Sequence, residues 1–191
     1  MTALTLNLDS ITTLTHEQFR KLCQANRDIQ LELTAQGELI VMPPTGWESG
    51  KRNASVTGQI WAWNSKTQLG TAFDSSTGFR LPNGAVKSPD AAWVRQDRLD
   101  ALSPDPSEFL ALAPDFVIEL RSATDRLKTL QDKMKEYQEN GVRLGWLLNA
   151  KDQAVEVYRE GQEVQVLHSP INLSGEDVLP GFILDLKGIL Y

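Results

Sequence analysis

Pro114-Asp115-Phe116-Val117-Ile118-Glu119-Leu120-Arg121-Ser122 is the stretch on which the fold turns. From Phe116 to Leu120 it is apolar but for one residue, the pattern of a central strand covered on both faces. Alternation sends Phe116, Ile118 and Leu120 to one face and Val117, Glu119 and Arg121 to the other. An ionised carboxylate inside such a strand is costly unless something compensates it. Two partners offer themselves. One is Arg121, two residues along on the same face. The other is a metal ion.

Working outward, a helix is expected from about Asp125 to Asn140, closed by Gly141 as its C′ residue. Leu144 to Leu148 reads as another buried strand. Upstream, Asp90-Ala91-Ala92-Trp93-Val94 reads as a strand that Asp90 opens, after an Asn83-Gly84 turn. Short strands at Ala72-Phe73-Asp74 and Phe79-Arg80-Leu81 flank Ser75-Ser76-Thr77-Gly78. A helix is expected from about Glu48 to Thr67, with Val56, Ile60 and Trp63 on one face and Gly58 as an internal cost. Thr15-His16-Glu17-Gln18 spells a capping box that starts a helix reaching about Ala25. Leu31-Glu32-Leu33 and Glu38 to Met42 form a hairpin around Ala35-Gln36-Gly37, ended by Pro43-Pro44. Ala154 to Arg159 and Glu163 to Leu167 form a second hairpin. Residues 98–107, with Pro104 and Pro106, read as a loop between elements. The order predicts an α/β or α+β mixed sheet flanked by helices.

The chain has 191 residues, 41% hydrophobic and 23% charged, which suits one globular domain with its own core. A single cysteine, Cys23, allows no intrachain disulfide and points to a reducing cytoplasm. Cys23 itself reads as a buried or half-buried small hydrophobe. Two histidines, His16 and His168, are too few for a histidine-rich metal site. The amino terminus shows no basic and apolar signal-peptide pattern, and no run is long enough to span a membrane. The net charge of −6 argues against a passive nucleic-acid coat. That charge is uneven. Residues 1–50 hold three basic and six acidic side chains, residues 51–149 hold 13 and 12, and residues 150–191 hold three and seven. The least acidic part of the chain is the part that carries the acids of interest.

Asp90 and Glu119 lie on successive long strands. If those strands are neighbours, the two carboxylates converge on one hard cation. Mg²⁺ takes one or two carboxylates and keeps waters, leaving room for a phosphate. A cation near the attacking water would complete the set. Arg121 occupies one place for it, but arginine cannot serve as a base near neutral pH. On the following helix Leu127, Leu130, Met134, Tyr137 and Gly141 form the buried stripe. Lys133 lies about 70° from its centre and Lys135 about 130°. Lys133 can therefore snorkel toward the sheet, and Lys135 should face water. Glu32 reads as an exposed strand carboxylate. Trp61 and Trp63 could stack on bases, but helical spacing puts at least one of them in the core.

Ser88-Pro89-Asp90, then Pro114 to Ser122, then Lys133 and Tyr137 with Gly141-Val142 and Trp146-Leu147-Leu148, resemble the Uma family of restriction-endonuclease-like proteins. That family belongs to the PD-(D/E)XK nuclease superfamily. Residues 37–44 and Leu179-Pro180-Gly181-Phe182 resemble its beginning and end. The resemblance implies an αβββαβ core with an N-terminal hairpin and C-terminal β decorations. It divides the single domain 1–191 into a helix and hairpin (1–45), a nuclease core (46–150) and a β extension (151–191). It implies Asp90, Glu119 and the Leu120 carbonyl as ligands of Mg²⁺ or Mn²⁺. Asp90, Glu119 and Lys133 are the implied catalytic set, with the lysine taken from the helix because Arg121 stands in its usual slot. Glu32 resembles a family acid near the site. The implied activity is metal-dependent hydrolysis of DNA phosphodiesters by a cytoplasmic homodimer. The competing expectation is a non-catalytic nucleic-acid or protein binding module that keeps the fold.

Overall fold

The protein is described by a computed structural model covering residues 3–8, 12–103, 105 and 108–191. In chain order the elements are β1 (Leu4–Leu6), α1 (His16–Ala25), β2 (Gln30–Leu33), β3 (Leu39–Met42), α2 (Trp47–Thr67), β4 (Gly70–Asp74), β5 (Phe79–Arg80), β6 (Val86–Lys87) and β7 (Ala91–Arg95). They continue with α3 (Gln96–Leu102), β8 (Phe116–Leu120), α4 (Leu127–Glu139), β9 (Leu144–Asn149), β10 (Ala154–Arg159), β11 (Gln165–His168), β12 (Asn172–Ser174) and β13 (Ile183–Asp185).

A six-stranded sheet in the order β11-β10-β9-β8-β7-β4 organises the molecule. Its middle pair, β8 and β9, is parallel, and its other pairs are antiparallel. The parallel pair needs a crossover, and α4 supplies it. The run α2-β4-β7-β8-α4-β9 is an αβββαβ core, with β5, β6 and α3 inserted in it. A five-stranded sheet, β1-β3-β2-β6-β5, gathers the N-terminal hairpin and the inserted strands. The β12–β13 pair forms the carboxyl-terminal ribbon.

The two faces of the large sheet carry separate cores. Phe116, Ile118, Trp93 and Trp146 pack under α2 through Val56 and Ile60, together with Phe182 and Leu184 of the carboxyl-terminal segment. Val117, Ala92 and Leu147 pack under α4 through Met134 and Tyr137. α4 can come this close because β9 carries Gly145. A Cβ there would stand 2.6 Å from Met134 Cε. The helix ends as its sequence predicts, with Gly141 at φ +94°. The Val142 N–H bonds the Tyr137 carbonyl and the Gly141 N–H the Gln138 carbonyl, a Schellman arrangement.

The α1 capping box forms as read. Thr15 Oγ1 accepts from the Gln18 N–H, and the Gln18 side chain accepts from the Thr15 N–H. One segment differs from its reading. Residues 98–102, expected in a loop, belong to α3, where Gln96 bonds Asp100 one turn on and Arg98 pairs with buried Asp115. A proline restricts the residue before it, so the helix is free to run to Leu102. Pro104 and Pro106, on which the loop reading rested, lie outside the described residues. Asp90 stands just before β7 instead of opening it. No helix among the described residues is long and apolar enough to cross a membrane.

Candidate active site

The register of β7 and β8 decides where the two acids meet. Ala91 faces Ile118 and Ala92 faces Val117. Asp90 lies one residue before Ala91 and Glu119 one residue after Ile118, so the end of this pairing brings the two acids near each other. The Asp90 carboxylate closes the end of this pairing. Its Oδ2 accepts the Leu120 N–H at 2.7 Å, and its Oδ1 accepts the Asn53 side-chain N–H from α2 at 2.9 Å. A strand residue sends its N–H and C=O toward the same neighbour, so the Leu120 carbonyl belongs to the Asp90 side too.

Glu119 is 4% exposed. Its Oε1 receives the Tyr137 hydroxyl at 3.1 Å and the Lys133 ammonium at 2.8 Å. Both donors come from α4, one helical turn apart, which places them side by side on one face. The Lys133 ammonium also reaches Glu32 Oε1 at 2.9 Å and lies 5.8 Å from the Tyr137 ring centroid. Its position matches its angular place on the helix: Lys133 turns inward and Lys135 is exposed.

Glu32 is a correction. The hairpin alone suggests an exposed carboxylate, yet Glu32 is 2% exposed and bonded to Lys133 and to the Ser88 N–H at 3.0 Å. One face of β2 packs on α1 and the other lies against α4. The second contact spans 101 residues of sequence and leaves no local trace. Arg121 is the other resolved alternative. It turns away from Glu119 and pairs with Asp152 at 2.8 Å and Asn149 at 3.2 Å, beside the β9–β10 turn. Asn53 and Tyr137 were not singled out as site residues. The spacing of Lys133 and Tyr137 could have pointed to Tyr137, whereas nothing in the sequence marks Asn53.

The charge balance follows from burial. Desolvation pushes the Glu119 carboxyl up to about 8, against the pull of Lys133 and with the push of Asp90 and Glu32. Burial raises Asp90 too, although the Leu120 N–H and Lys133 oppose it. At Glu32 burial is outweighed by Lys133 and Lys87, and the carboxyl stays below its ordinary range. Burial also disfavours the Lys133 ammonium, but Glu119 and Glu32 hold its proton well above the usual lysine range. Tyr137 is pushed up by burial and remains a hydroxyl donor.

Two buried carboxylates, Glu32 and Glu119, thus share one lysine, with half-buried Asp90 close by, and desolvation raises both Glu119 and Asp90. Their donor chemistry suits a hard divalent cation: the carboxylates of Asp90 and Glu119 and the Leu120 carbonyl are all oxygen ligands. Among the described residues no group of three or more His, Cys, Asp or Glu side chains is arranged around a metal position. A two-carboxylate ion that keeps several waters does not need one.

A family model described as "Uma2: Putative restriction endonuclease" matches residues 16–187. The chain belongs to that family. The crystal structure of a "putative nuclease" from Anabaena variabilis superposes with a TM-score of 0.77 at 20% identity, covering 93% of this chain and 97% of that one. At that identity the likeness is one of fold, and it agrees with the restriction-endonuclease-like core traced above. No curated protein matches the chain. Asp90 stands just before β7 and Glu119 within β8, and Lys133 reaches Glu119 from α4.

Proposed function

We propose that this protein is a Mg²⁺-dependent endonuclease, with Mn²⁺ able to substitute, that hydrolyses DNA phosphodiesters within one nuclease domain spanning the chain. The observation that carries this reading is the Lys133 ammonium 2.8 Å from Glu119, beside a strand end where the Asp90 carboxylate accepts the Leu120 N–H. Asp90, Glu119 and the Leu120 carbonyl would hold the ion. When bound, Mg²⁺ supplies Lewis acidity and a coordinated water of lowered pKa.

The remaining work falls to the chain's own groups. Lys133, whose ammonium Glu119 and Glu32 hold, supplies a positive charge to face a phosphate oxygen or the attacking water. Tyr137 holds the Glu119 carboxylate by its hydroxyl. Asn53 and the Leu120 N–H hold Asp90 in one rotamer. The lone cysteine supports a reducing cytoplasm as the site of action. The exposed edge strand β11 supports a homodimer, which light scattering would decide.

The test is calorimetric titration of Mg²⁺ and Mn²⁺ into wild type, Asp90→Ala and Glu119→Ala. Equal affinity in all three would remove the metal site from the proposal. The net charge of −6 favours a second reading, a binding module without turnover. Plasmid or single-stranded DNA separates the two. Metal-dependent cleavage that Lys133→Ala abolishes sinks the module, and binding without cleavage sinks the enzyme.

A further inference from the structure

Lys87, on β6, is buried at 4% exposure. An ammonium taken out of water is expensive and persists only beside partners. Its closer partner is Glu136 Oε2 at 3.2 Å, and Glu32 Oε2 lies at 4.0 Å. Glu136 follows Lys133 by three residues on α4, so the two share a helix face. The helix therefore presents a cation and an anion. The five-stranded sheet answers with an anion, Glu32 on β2, and a cation, Lys87 on β6. Lys133 meets Glu32 at 2.9 Å, and Glu136 meets Lys87 at 3.2 Å. The turn before β6 adds a third tie: the Asn83 side chain donates to Glu136 Oε1 and its backbone N–H to Asn140 Oδ1, each at 2.9 Å.

Apolar packing is non-directional, and on its own it would let a helix settle at several heights over a sheet. Two ion pairs of opposite polarity do not permit that. A shift of α4 by one residue would break both, and a half-turn rotation would carry Lys133 and Glu136 away and leave Glu32 and Lys87 without them. The pairing also serves Glu32. Lys133 holds one of its oxygens and Lys87 stands behind the other.

From this geometry we infer that Lys87 and Glu136 form a positioning clamp, which fixes α4 against the five-stranded sheet so that the Lys133 ammonium stays shared between Glu32 and Glu119. Lys87 touches no reacting atom. It acts through α4 and through Glu32. Lys133 and Tyr137 both hold Glu119 by Oε1, and the clamped Glu32 keeps the Lys133 ammonium beside it. The inference deepens the nuclease reading and rests on it for the Mn²⁺ and activity measurements below, while the NMR measurement stands apart from it.

The experiment compares wild type, Lys87→Met, Lys87→Arg and Glu136→Gln in three measurements. The first follows the Lys133 ε-methylene signal by NMR in metal-free protein, assigned with Lys133→Arg. The second is Mn²⁺ affinity by calorimetry. The third separates kcat from KM in plasmid nicking. Expected are a displaced or doubled Lys133 signal in Lys87→Met, a Mn²⁺ affinity about tenfold weaker, and kcat about tenfold lower at unchanged KM. That loss is a fraction of the roughly hundredfold that a 1 Å misplacement can cost. Lys87→Arg should restore all three to within about threefold, and Glu136→Gln should fall between. A purely structural lysine would lower thermal stability without moving the Lys133 signal or the kcat of the folded fraction, and that result overturns the clamp. If Lys87→Met does not fold, Glu136→Gln and Lys87→Arg decide by the same signals. If wild type cuts no DNA with any metal, the nuclease reading fails by itself. The Lys133 NMR signal then still supports the clamp if it moves and sinks it if it does not.

Discussion

Two charged clusters grow from the end of β8, and they behave oppositely. Glu119 turns into a space sealed by α4 and the five-stranded sheet, where it meets Lys133, Tyr137 and the neighbourhood of Asp90. Arg121, two residues on, passes the strand end and meets Asp152, whose side chain is 54% exposed. The Asp152 carboxyl lies below its ordinary range because Asn149 and Arg121 bond it, and water is close by. At Glu119 the same kind of neighbour does not suffice, because desolvation dominates. The lesson is that an acid and a base at hydrogen-bond distance mean different things in a sealed interior and at an open strand end. In the open cluster the pair is a minor stabiliser. In the closed one it is a set of buried charges that desolvation keeps out of balance.

The sharpest way to break this contrast is to remove each cation in turn and measure DNA nicking. Lys133→Met should lower kcat by roughly a hundredfold or more, the scale of a lost fixed charge at the reacting centre. Arg121→Met should stay within about threefold of wild type, the scale of a lost exposed pair. Equal losses would mean that Arg121 serves the site after all.

Unfolding by urea in chelator reads the same contrast as stability. Lys133→Met leaves Glu32 short of a buried counter-charge, and about 3 kcal/mol should go. Arg121→Met should cost about 1 kcal/mol or less, since its partner can turn to water. A reversed order would show that the outer cluster is the tighter one.

The titration of Glu119 gives a third test. Its carboxyl sits near 4.5 when unfolded and about 8 when folded. A raised value means that the protonated form favours the fold, so its contribution is complete below 4.5 and is lost as pH climbs through about 8. In metal-free protein, the melting temperature of wild type should therefore fall relative to Glu119→Gln across that window. Parallel curves from about pH 5 to about pH 9 would contradict the burial argument. Metal binding in the same window should release a proton, visible as a buffer-dependent calorimetric heat.

A small effect is expected at Tyr137→Phe. Losing one hydroxyl donor to Glu119 should cost about 1 kcal/mol of stability by denaturant titration, with the ring still filling the core. A loss several times larger would mean that Tyr137 orders the site and does more than complete it.

Much of the scaffold could be read locally. The capping box at Thr15, the apolar strand Phe116 to Leu120 and the Gly141 helix stop are short-range features, and each formed where its residues said. Trp63 packs against Trp93 and Phe182, while Trp61 is 64% exposed, as helical spacing required of the pair. Cys23 is half-buried. The strands β1, β12 and β13 escaped notice because three residues carry too little periodicity to register. The α3 helix escaped because two prolines following it outweighed the residues that form it.

By itself the sequence determined that Glu119 needs a partner, since alternation alone puts an acid inside an apolar strand. Helical angle alone likewise chose Lys133 over Lys135. Which partner Glu119 has was decided only by tertiary structure. Arg121 and Lys133 were both within reach on paper, and the end of β8 sent one to Asp152 while α4 brought the other in. Glu32 and Lys87 became buried charges only because a sheet built from residues 4–6, 30–42 and 79–87 lies against a helix beginning at residue 127. Burial is a property of what covers a residue, and for these two the cover comes from distant parts of the chain.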